Sequence, residues 1–316
     1  MEIFFIALTA VGVLLLQAVP GFAFVKCKLL DERAPKTLSK VLMYFCQPCL
    51  SVYTFTSATF SSEKLADIGI FALLSLAICA VMLGAGALVL RRRFADGANR
   101  ILTLAMSFSN CAFFGIPVIE AIMGDGAEEL IIFTTVWATV MNILGWAVGI
   151  AIITGDRSRI SARRIFVNPA MIGVSVALPL FLLSINGDTV PALAPLFDAI
   201  YVIGKMTTPL SMLIMGTRLA TADLKSVLTS ARTYAAVAVK GIVMPLVAFA
   251  LVYFLPIPTE VKCTFYIISA CPTASVVLNF SELSGHGERE AAASVLISTA
   301  LSILTLPLMT LMLPLF

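Results

Sequence analysis

Residues 107–117 read SFSNCAFFGIP and residues 269–279 read SACPTASVVLN, and each stretch lies inside a long apolar run. Proline lacks a backbone N–H and clashes with the carbonyl four residues earlier, so Pro117 and Pro272 free backbone groups in the middle of their runs. Hydrocarbon cannot satisfy such groups, so the interruptions must face protein or a wet cavity. Both stretches therefore predict membrane helices that are broken where a small solute or ion can bind.

The chain around these stretches has the composition of a polytopic membrane protein. Of its 316 residues, 60% are hydrophobic and 12% are charged, with a mean hydropathy of +1.02, whereas a soluble domain carries about 25% charged residues. A net charge of +3 with dispersed Lys and Arg excludes nucleic acid as a partner. His286 is the single histidine and the seven cysteines lie in apolar runs, so neither a metal site nor another cofactor is predicted.

Ten apolar segments are long enough to cross a bilayer, which takes about 20 residues. Segments 1 to 10 cover residues 3–25, 36–58, 66–90, 100–123, 128–153, 167–186, 192–216, 231–255, 261–283 and 290–314. The sequence therefore predicts an all-α integral membrane protein with ten transmembrane helices.

The loops between the segments differ in charge. Loops after odd-numbered segments hold most of the Lys and Arg, including the cluster Arg91, Arg92 and Arg93, which is also expected to meet anionic lipid. In the loops after even-numbered segments, the only Lys or Arg residues are Lys64 and Lys262. Because positive loops stay on the cytoplasmic side, we expect a multi-pass protein of the cell (inner) membrane with both termini outside.

The irregular segments occupy matching places in the two halves of the chain. Segments 2 and 7 contain Pro48 and Pro209, and segments 4 and 9 contain Pro117 and Pro272. A unit of five helices copied once in tandem inserts its second copy upside down, as in many secondary transporters. The spacing predicts two inverted five-helix repeats, residues 1–153 and 167–316, with helices 4 and 9 broken at their prolines.

Five short motifs resemble one family of membrane proteins. They are NCAFFGIP at 110–117, Asn168-Pro169, PLSM at 209–212 leading to Gly216, PTAS at 272–275, and Ser298 to Pro307. Through them the whole chain resembles the auxin efflux carrier family, which includes bacterial carriers and the plant PIN-FORMED proteins. The resemblance implies a fold similar to bile-acid/sodium symporters, with helices 4 and 9 crossing near the midplane. It also implies a scaffold of helices 1, 2, 6 and 7, a transport domain of helices 3, 4, 5, 8, 9 and 10 that moves as an elevator, and a homodimer.

The chain departs from the plant members of this family in two ways. A short polar linker joins segments 5 and 6 in place of the long regulatory loop, and Val118 and Thr273 follow the crossover prolines where plant carriers have asparagine. Bacterial relatives are commonly labelled malonate or malate transporters. The resemblance therefore implies a small organic anion as substrate, either a malonate- or malate-like dicarboxylate or an auxin-like carboxylate.

The polar and small residues around the two prolines are the predicted substrate-binding residues. They are Asn110, Gly115, Pro117, Pro272, Thr273, Ser275 and Asn279. An asparagine in mid-membrane is costly unless it is hydrogen-bonded. Asn110 and Asn279 therefore either contact the substrate or hold helices together through hydrogen bonds.

Three ionisable residues, Lys205, Lys240 and Glu120, are candidates for a charge or coupling role, because an ionisable group inside a membrane span is a functional candidate. Lys205 can attract a carboxylate or replace a coupling cation, with Asp198 or Glu120 as its partner, or its side chain can extend to the interface. Lys240 is expected to pair with the C-terminal end of a broken helix. Coupling to protons, coupling to sodium and uncoupled transport all stay open.

Three classes of function are weighed. The first is a secondary active transporter or facilitative carrier that works by alternating access around the proline crossover. The alternative is a non-transporting solute sensor or receptor on a transporter-like scaffold. An intramembrane enzyme is disfavoured, because the usual nucleophile and base pairs and the His-Glu-x-x-His metal motif are missing from the sequence. We predict no catalytic residue.

Overall fold

The structure is a computed structural model that describes residues 2–31, 33–90, 96–156, 158, 160–223 and 229–316. The arginine cluster at 91–93 lies outside these residues. Apart from one isolated bridge, the regular secondary structure of the described residues is helical. The α-helices are α1 Glu2–Leu16, α2 Val19–Lys26, α3 Ala34–Val41, α4 Gln47–Thr56, α5 Ser62–Val89, α6 Gly97–Ser107, α7 Ile116–Met123, α8 Ile132–Leu144, α9 Ile150–Thr154, α10 Ala162–Phe166, α11 Pro169–Leu182, α12 Ala194–Lys205, α13 Thr207–Thr221, α14 Ala231–Ala238, α15 Met244–Tyr253, α16 Thr259–Ala270, α17 Val276–Ser284 and α18 Glu288–Thr310.

Six stretches of helix among the described residues are long and apolar enough to cross a membrane. They are Glu2–Lys26, Ser62–Val89, Ile132–Thr154, Pro191–Thr221, Ala231–Tyr253 and Glu288–Leu315. The predicted segments 2, 4 and 9 contain shorter helices separated by π-turns, bends or extended residues, and segment 6 contains one shorter helix, α11. Helix therefore covers each predicted segment, and the chain has the helices of a multi-pass membrane protein, while the inverted ten-helix arrangement stays a prediction.

An aromatic cluster joins α5, α8 and α16 at the centre of the fold. The Phe71 ring lies 4.7 Å from Phe133 and 5.3 Å from Phe265, and Trp137 lies 4.9 Å from Phe265, measured between ring centroids. All four side chains are fully buried. Burial of this much aromatic surface, with edge and tilted ring contacts, packs the three helices into one rigid unit.

The interruption of segment 4 lies at a different place from the one predicted. Pro117 occupies the first turn of α7, directly after a π-turn at Cys111–Gly115, and helix continues through it. Proline is tolerated there because the N–H it lacks would have no acceptor in a first turn. The prediction that helix 4 breaks at Pro117 is therefore wrong, since the break lies at residues 108–110. In segment 9, α16 ends at Ala270, two residues before Pro272, and Cys271 takes the extended conformation favoured before proline.

The two breaks pair with each other as a short antiparallel bridge. The Asn110 N–H donates to the Pro272 carbonyl at 2.8 Å, and the Ala274 N–H donates to the Phe108 carbonyl at 2.9 Å. Each extended stretch thereby satisfies backbone groups that its own helix can no longer pair. The broken helices of segments 4 and 9 meet at this point, and we call the paired stretches, residues 108–110 and 271–275, the crossover.

Thr273 ties the crossover to two further helices. Its hydroxyl donates to the Ala105 carbonyl of α6 at 3.1 Å, and its N–H donates to the Ser298 hydroxyl of α18 at 3.0 Å. Thr273 is fully buried. A buried polar residue with both groups paired fixes the position of the crossover against its neighbours.

Asp96 caps the N-terminus of α6 and pairs with Arg232 at the start of α14, with Arg232 Nη1 and Asp96 Oδ2 2.9 Å apart. The hydrogen bond from Arg232 holds the pKa of Asp96 below its ordinary value. The carboxylate therefore stabilises the fold fully above the unfolded pKa of about 3.9 and loses this effect as pH falls through the lowered folded pKa.

We predict that Asp96→Asn, which keeps the cap but removes the charge, lowers the free energy of unfolding by less than about 1 kcal/mol at neutral pH, as for other exposed ion pairs. The difference from the unmodified protein should vanish under strongly acidic conditions. Thermal unfolding in detergent across pH measures it. A difference that grows towards low pH would contradict the prediction.

Candidate functional site

A cavity of about 60 Å³ lies beside the crossover, between α3, α4, α8, α13 and α17. This volume suits a few water molecules or one small solute. Its polar lining consists of four amide side chains, four serines and one cation: Gln47, Asn110, Asn142, Asn279, Ser39, Ser109, Ser211, Ser275 and Arg218. Among the described residues, no aspartate or glutamate lines it. A lining of hydrogen-bond donors with one positive charge favours an anion.

Asn110 lines this cavity and carries an unpaired donor. The residue is 3% exposed, and its side-chain nitrogen Nδ2 has no hydrogen-bond partner among the described residues. A buried donor without an acceptor costs roughly 1–3 kcal/mol, so a native structure keeps one only for a reason. The unpaired nitrogen therefore fits contact with a bound solute better than hydrogen bonding between helices.

Two helix N-termini flank the cavity. The π-turn at Cys111–Gly115 leads directly into α7, and α17 begins after Ser275, so both helices start at the crossover. The N-terminus of a helix carries a partial positive charge and free N–H groups. Ser275 lines the cavity at the start of α17. Negative charge is stabilised between such ends.

Asn279 lies one turn into α17 and lines the same cavity as Asn110. Its Nδ2 contacts the Met43 sulfur at 3.1 Å. Thioether sulfur is a weak acceptor, so this amide can exchange the contact for a better acceptor. The structure thus brings Asn110, Ser275 and Asn279 together at one site.

The other four predicted binding residues lie outside the cavity lining. Pro272 and Thr273 form the crossover itself, while Gly115 and Pro117 lie in the turn and the helix that follow it. A Cβ added at Gly115 would meet the Cys271 sulfur at ordinary contact distance. These residues shape the backbone on which Asn110 and Ser275 are held.

Lys240 lies in the π-turn Val239–Val243 between α14 and α15. It is fully buried against the C-terminal end of α16. Its ammonium donates to the carbonyl of Ser269 at 2.7 Å and to that of Cys271 at 2.6 Å. The last carbonyls of a helix receive no hydrogen bond from an N–H of the same helix, and they carry its partial negative charge. Lys240 therefore neutralises one side of the crossover.

Lys205 lies at the end of α12 and pairs with Glu120 of α7, one of the two partners considered from the sequence. Its ammonium also lies 5.5 Å from the ring centroids of Tyr53 and Tyr201. This ion pair is outside the cavity lining and about one-third exposed on each side chain.

Sequence reasoning missed Arg218, Gln47, Asn142, Ser39 and Ser211. By sequence Arg218 falls in the loop after segment 7, because the apolar run ends at residue 216. The structure continues α13 to Thr221, which brings Arg218 into the helix. Ser211 and Arg218 are seven residues apart, about two helical turns, so a helix that continues past residue 216 places both on one face. This spacing is the sequence signal for Arg218.

Comparison with models of protein families gives a match to the family described as membrane transport protein, over residues 6–163 and 153–310. The two matched ranges together span nearly the whole described chain. No curated protein matches the sequence.

Proposed function

Because the chain belongs to the membrane transport protein family, which is that of the auxin efflux carriers, we propose that it moves a small organic anion across the cytoplasmic membrane. It is a multi-pass membrane transporter, and the anion and the mechanism are what we propose. The best candidates for the anion are malonate- or malate-like dicarboxylates, with auxin-like carboxylates next.

The unpaired amide nitrogen of Asn110 is the observation that supports an anionic substrate most directly. The nitrogen is buried. Asn110 lines a cavity that is also lined by Arg218 and by the starts of two helices, with no acidic side chain among the described lining residues. A carboxylate accepts several hydrogen bonds and is stabilised at such helix ends. Asn110, Ser275 and Asn279 would bind it, while Gly115, Pro117, Pro272 and Thr273 hold the crossover in shape.

Alternating access around the crossover is supported by the arrangement of the chain. The family model matches twice in succession, which favours two repeats of five helices with opposite orientation. In this proposal helices 1, 2, 6 and 7 are a scaffold in lipid and the other six move as an elevator. Two ion pairs, Lys205–Glu120 and Arg218–Glu282, then join α12 and α13, the helices of scaffold segment 7, to α7 and α17 of the broken segments 4 and 9.

Orientation, assembly and coupling complete the proposal. The charge of the loops supports termini outside the cell, and the family supports a homodimer. Lys240 supplies a fixed cation at the crossover carbonyls, which reduces the need for a coupling sodium ion there. Uptake measured with and without sodium and proton gradients distinguishes the coupling modes.

We predict that Asn110→Ala lowers the uptake of malonate, malate or a monocarboxylate into proteoliposomes at least tenfold. Because Nδ2 has no partner to lose, the same variant should keep its thermal stability. Asn110→Asp, which places a negative charge in the cavity, should abolish uptake. Asn279→Ala should also lower uptake, by less.

Other results would change the proposal. A loss of stability in Asn110→Ala with unchanged uptake would identify Asn110 as a residue that only holds helices together. Binding of an anion, shown by thermal stabilisation, without uptake or exchange would favour a sensor.

A further inference from the structure

Arg218 is the one charged side chain in the lining of the cavity among the described residues. Its side chain is 15% exposed. Nη1 lies 3.1 Å from Glu282 Oε1, and Nη2 donates to the Ser39 hydroxyl at 3.3 Å. Ser39 also lines the cavity, whereas Glu282 does not. The guanidinium therefore lies between the cavity on one side and a carboxylate on the other.

The remaining donors of Arg218 suit a second carboxylate. A guanidinium has five N–H groups in a planar fork that matches a carboxylate with two parallel hydrogen bonds. The recorded bonds to Glu282 and Ser39 use one donor from each terminal nitrogen. A carboxylate in the cavity can share Arg218 with Glu282 or replace it, with the Ser39 hydroxyl as a neighbouring donor.

The ion pair with Glu282 also weakens the attraction of Arg218 for an anion. The pair of Arg218 and Glu282 is neutral, so an anion gains the full attraction of Arg218 only by loosening this pair. A monocarboxylate held at Asn110 has no second charge to do so. A dicarboxylate has one, and the two sites lie in the same cavity.

We propose that Arg218 binds the second carboxylate of a dicarboxylate substrate and that Glu282 competes with the substrate for it. This inference rests on the proposed function and assigns the residues that recognise the second carboxylate of the proposed substrate. Arg218 thereby selects dicarboxylates over monocarboxylates, and Glu282 tunes the affinity.

Opposite effects of the two partners test this inference. Arg218→Gln should raise the Kd for malonate at least tenfold, and Glu282→Gln should lower it about threefold or more. The double variant should behave like Arg218→Gln. Malonate binding is measured by the rise in thermal stability with ligand concentration and by uptake into proteoliposomes. Propionate serves as the monocarboxylate, and its Kd should change little in Arg218→Gln.

The exposed pair of Arg232 and Asp96 provides a matched control, because it has the same chemistry away from the cavity. Arg232→Gln and Asp96→Asn should leave the malonate Kd unchanged. Arg218→Lys, which keeps the charge without the planar fork, should show an intermediate Kd and serves if Arg218→Gln does not fold.

Equal changes in the same direction for Arg218→Gln and Glu282→Gln would overturn the inference, because a purely structural ion pair behaves in that way. An unchanged preference for malonate over propionate in Arg218→Gln would overturn it too. Either result, with uptake that still depends on Asn110, leaves the proposed transport of anions intact. Absence of any anion uptake or binding overturns both.

Discussion

Lys240→Met should strongly destabilise the protein and abolish transport. The methionine fills a similar volume but leaves the carbonyls of Ser269 and Cys271 buried without the ammonium. An unsatisfied buried polar group costs roughly 1–3 kcal/mol, so the loss for two carbonyls is several kcal/mol. The affected end of α16 forms one side of the crossover, so even the folded fraction should carry a misplaced cavity. Thermal unfolding in detergent and uptake into proteoliposomes measure the two effects.

Lys262→Met is the matched control for this experiment. Lys262 also donates to a helix-end carbonyl, that of Tyr253 at 3.1 Å, but it does so on the surface. Water replaces the ammonium there, so stability should change by less than about 0.5 kcal/mol. If the two lysine variants lose equal stability, Lys240 has no special role at the crossover.

Gly216→Ala should separate two helices that are packed at backbone contact. A Cβ at Gly216 would overlap the carbonyl oxygen of Ala18, directly before α2, and Gly21 of α2 is packed in the same way against Leu213 of α13. The obstacle is backbone, which cannot rotate away as a side chain can. Small residues allow membrane helices this close approach, and overpacking costs typically 1–3 kcal/mol or more. We expect a lower unfolding temperature and reduced uptake.

Gly84→Ala in α5 is the comparison for Gly216→Ala, because no atom of the described residues beyond the adjoining backbone of α5 itself lies within 4 Å of a Cβ at Gly84. In the middle of a helix, alanine is favoured over glycine by about 1 kcal/mol. The control should therefore be neutral or stabilising. Equal destabilisation by both alanines would show that the contact between α2 and α13 is not the cause.

The location of the helices could be predicted because it depends on local properties. A long apolar run in a membrane must pair its backbone N–H and C=O groups internally, and a helix does so. The structure has helix in each of the ten runs. Pro272 likewise acts on its immediate neighbours, and α16 ends two residues before it, at Ala270. Pro117 was misjudged because a proline in a first turn costs little, and this depends on where the helix starts.

The lining of the cavity could be predicted in part. Asn110, Ser275 and Asn279 were identified because amides and hydroxyls in mid-membrane need partners, and all three line the cavity. Arg218 was missed because its local sequence resembles a loop end, and only the packing of α13 against α3 and α17 places it at the cavity.

Sequence alone accounts for the membrane environment, the helical segments and the two irregular stretches, because each follows from hydrophobicity and proline chemistry within a few residues. The break at 108–110 and the bridge between the two stretches depend on tertiary structure, as does the placement of Asn110 and Arg218 around one cavity. They require hydrogen bonds between residues more than 100 positions apart, such as Asn110 to Pro272. No local pattern specifies such partners, because the backbone groups involved are the same at every residue.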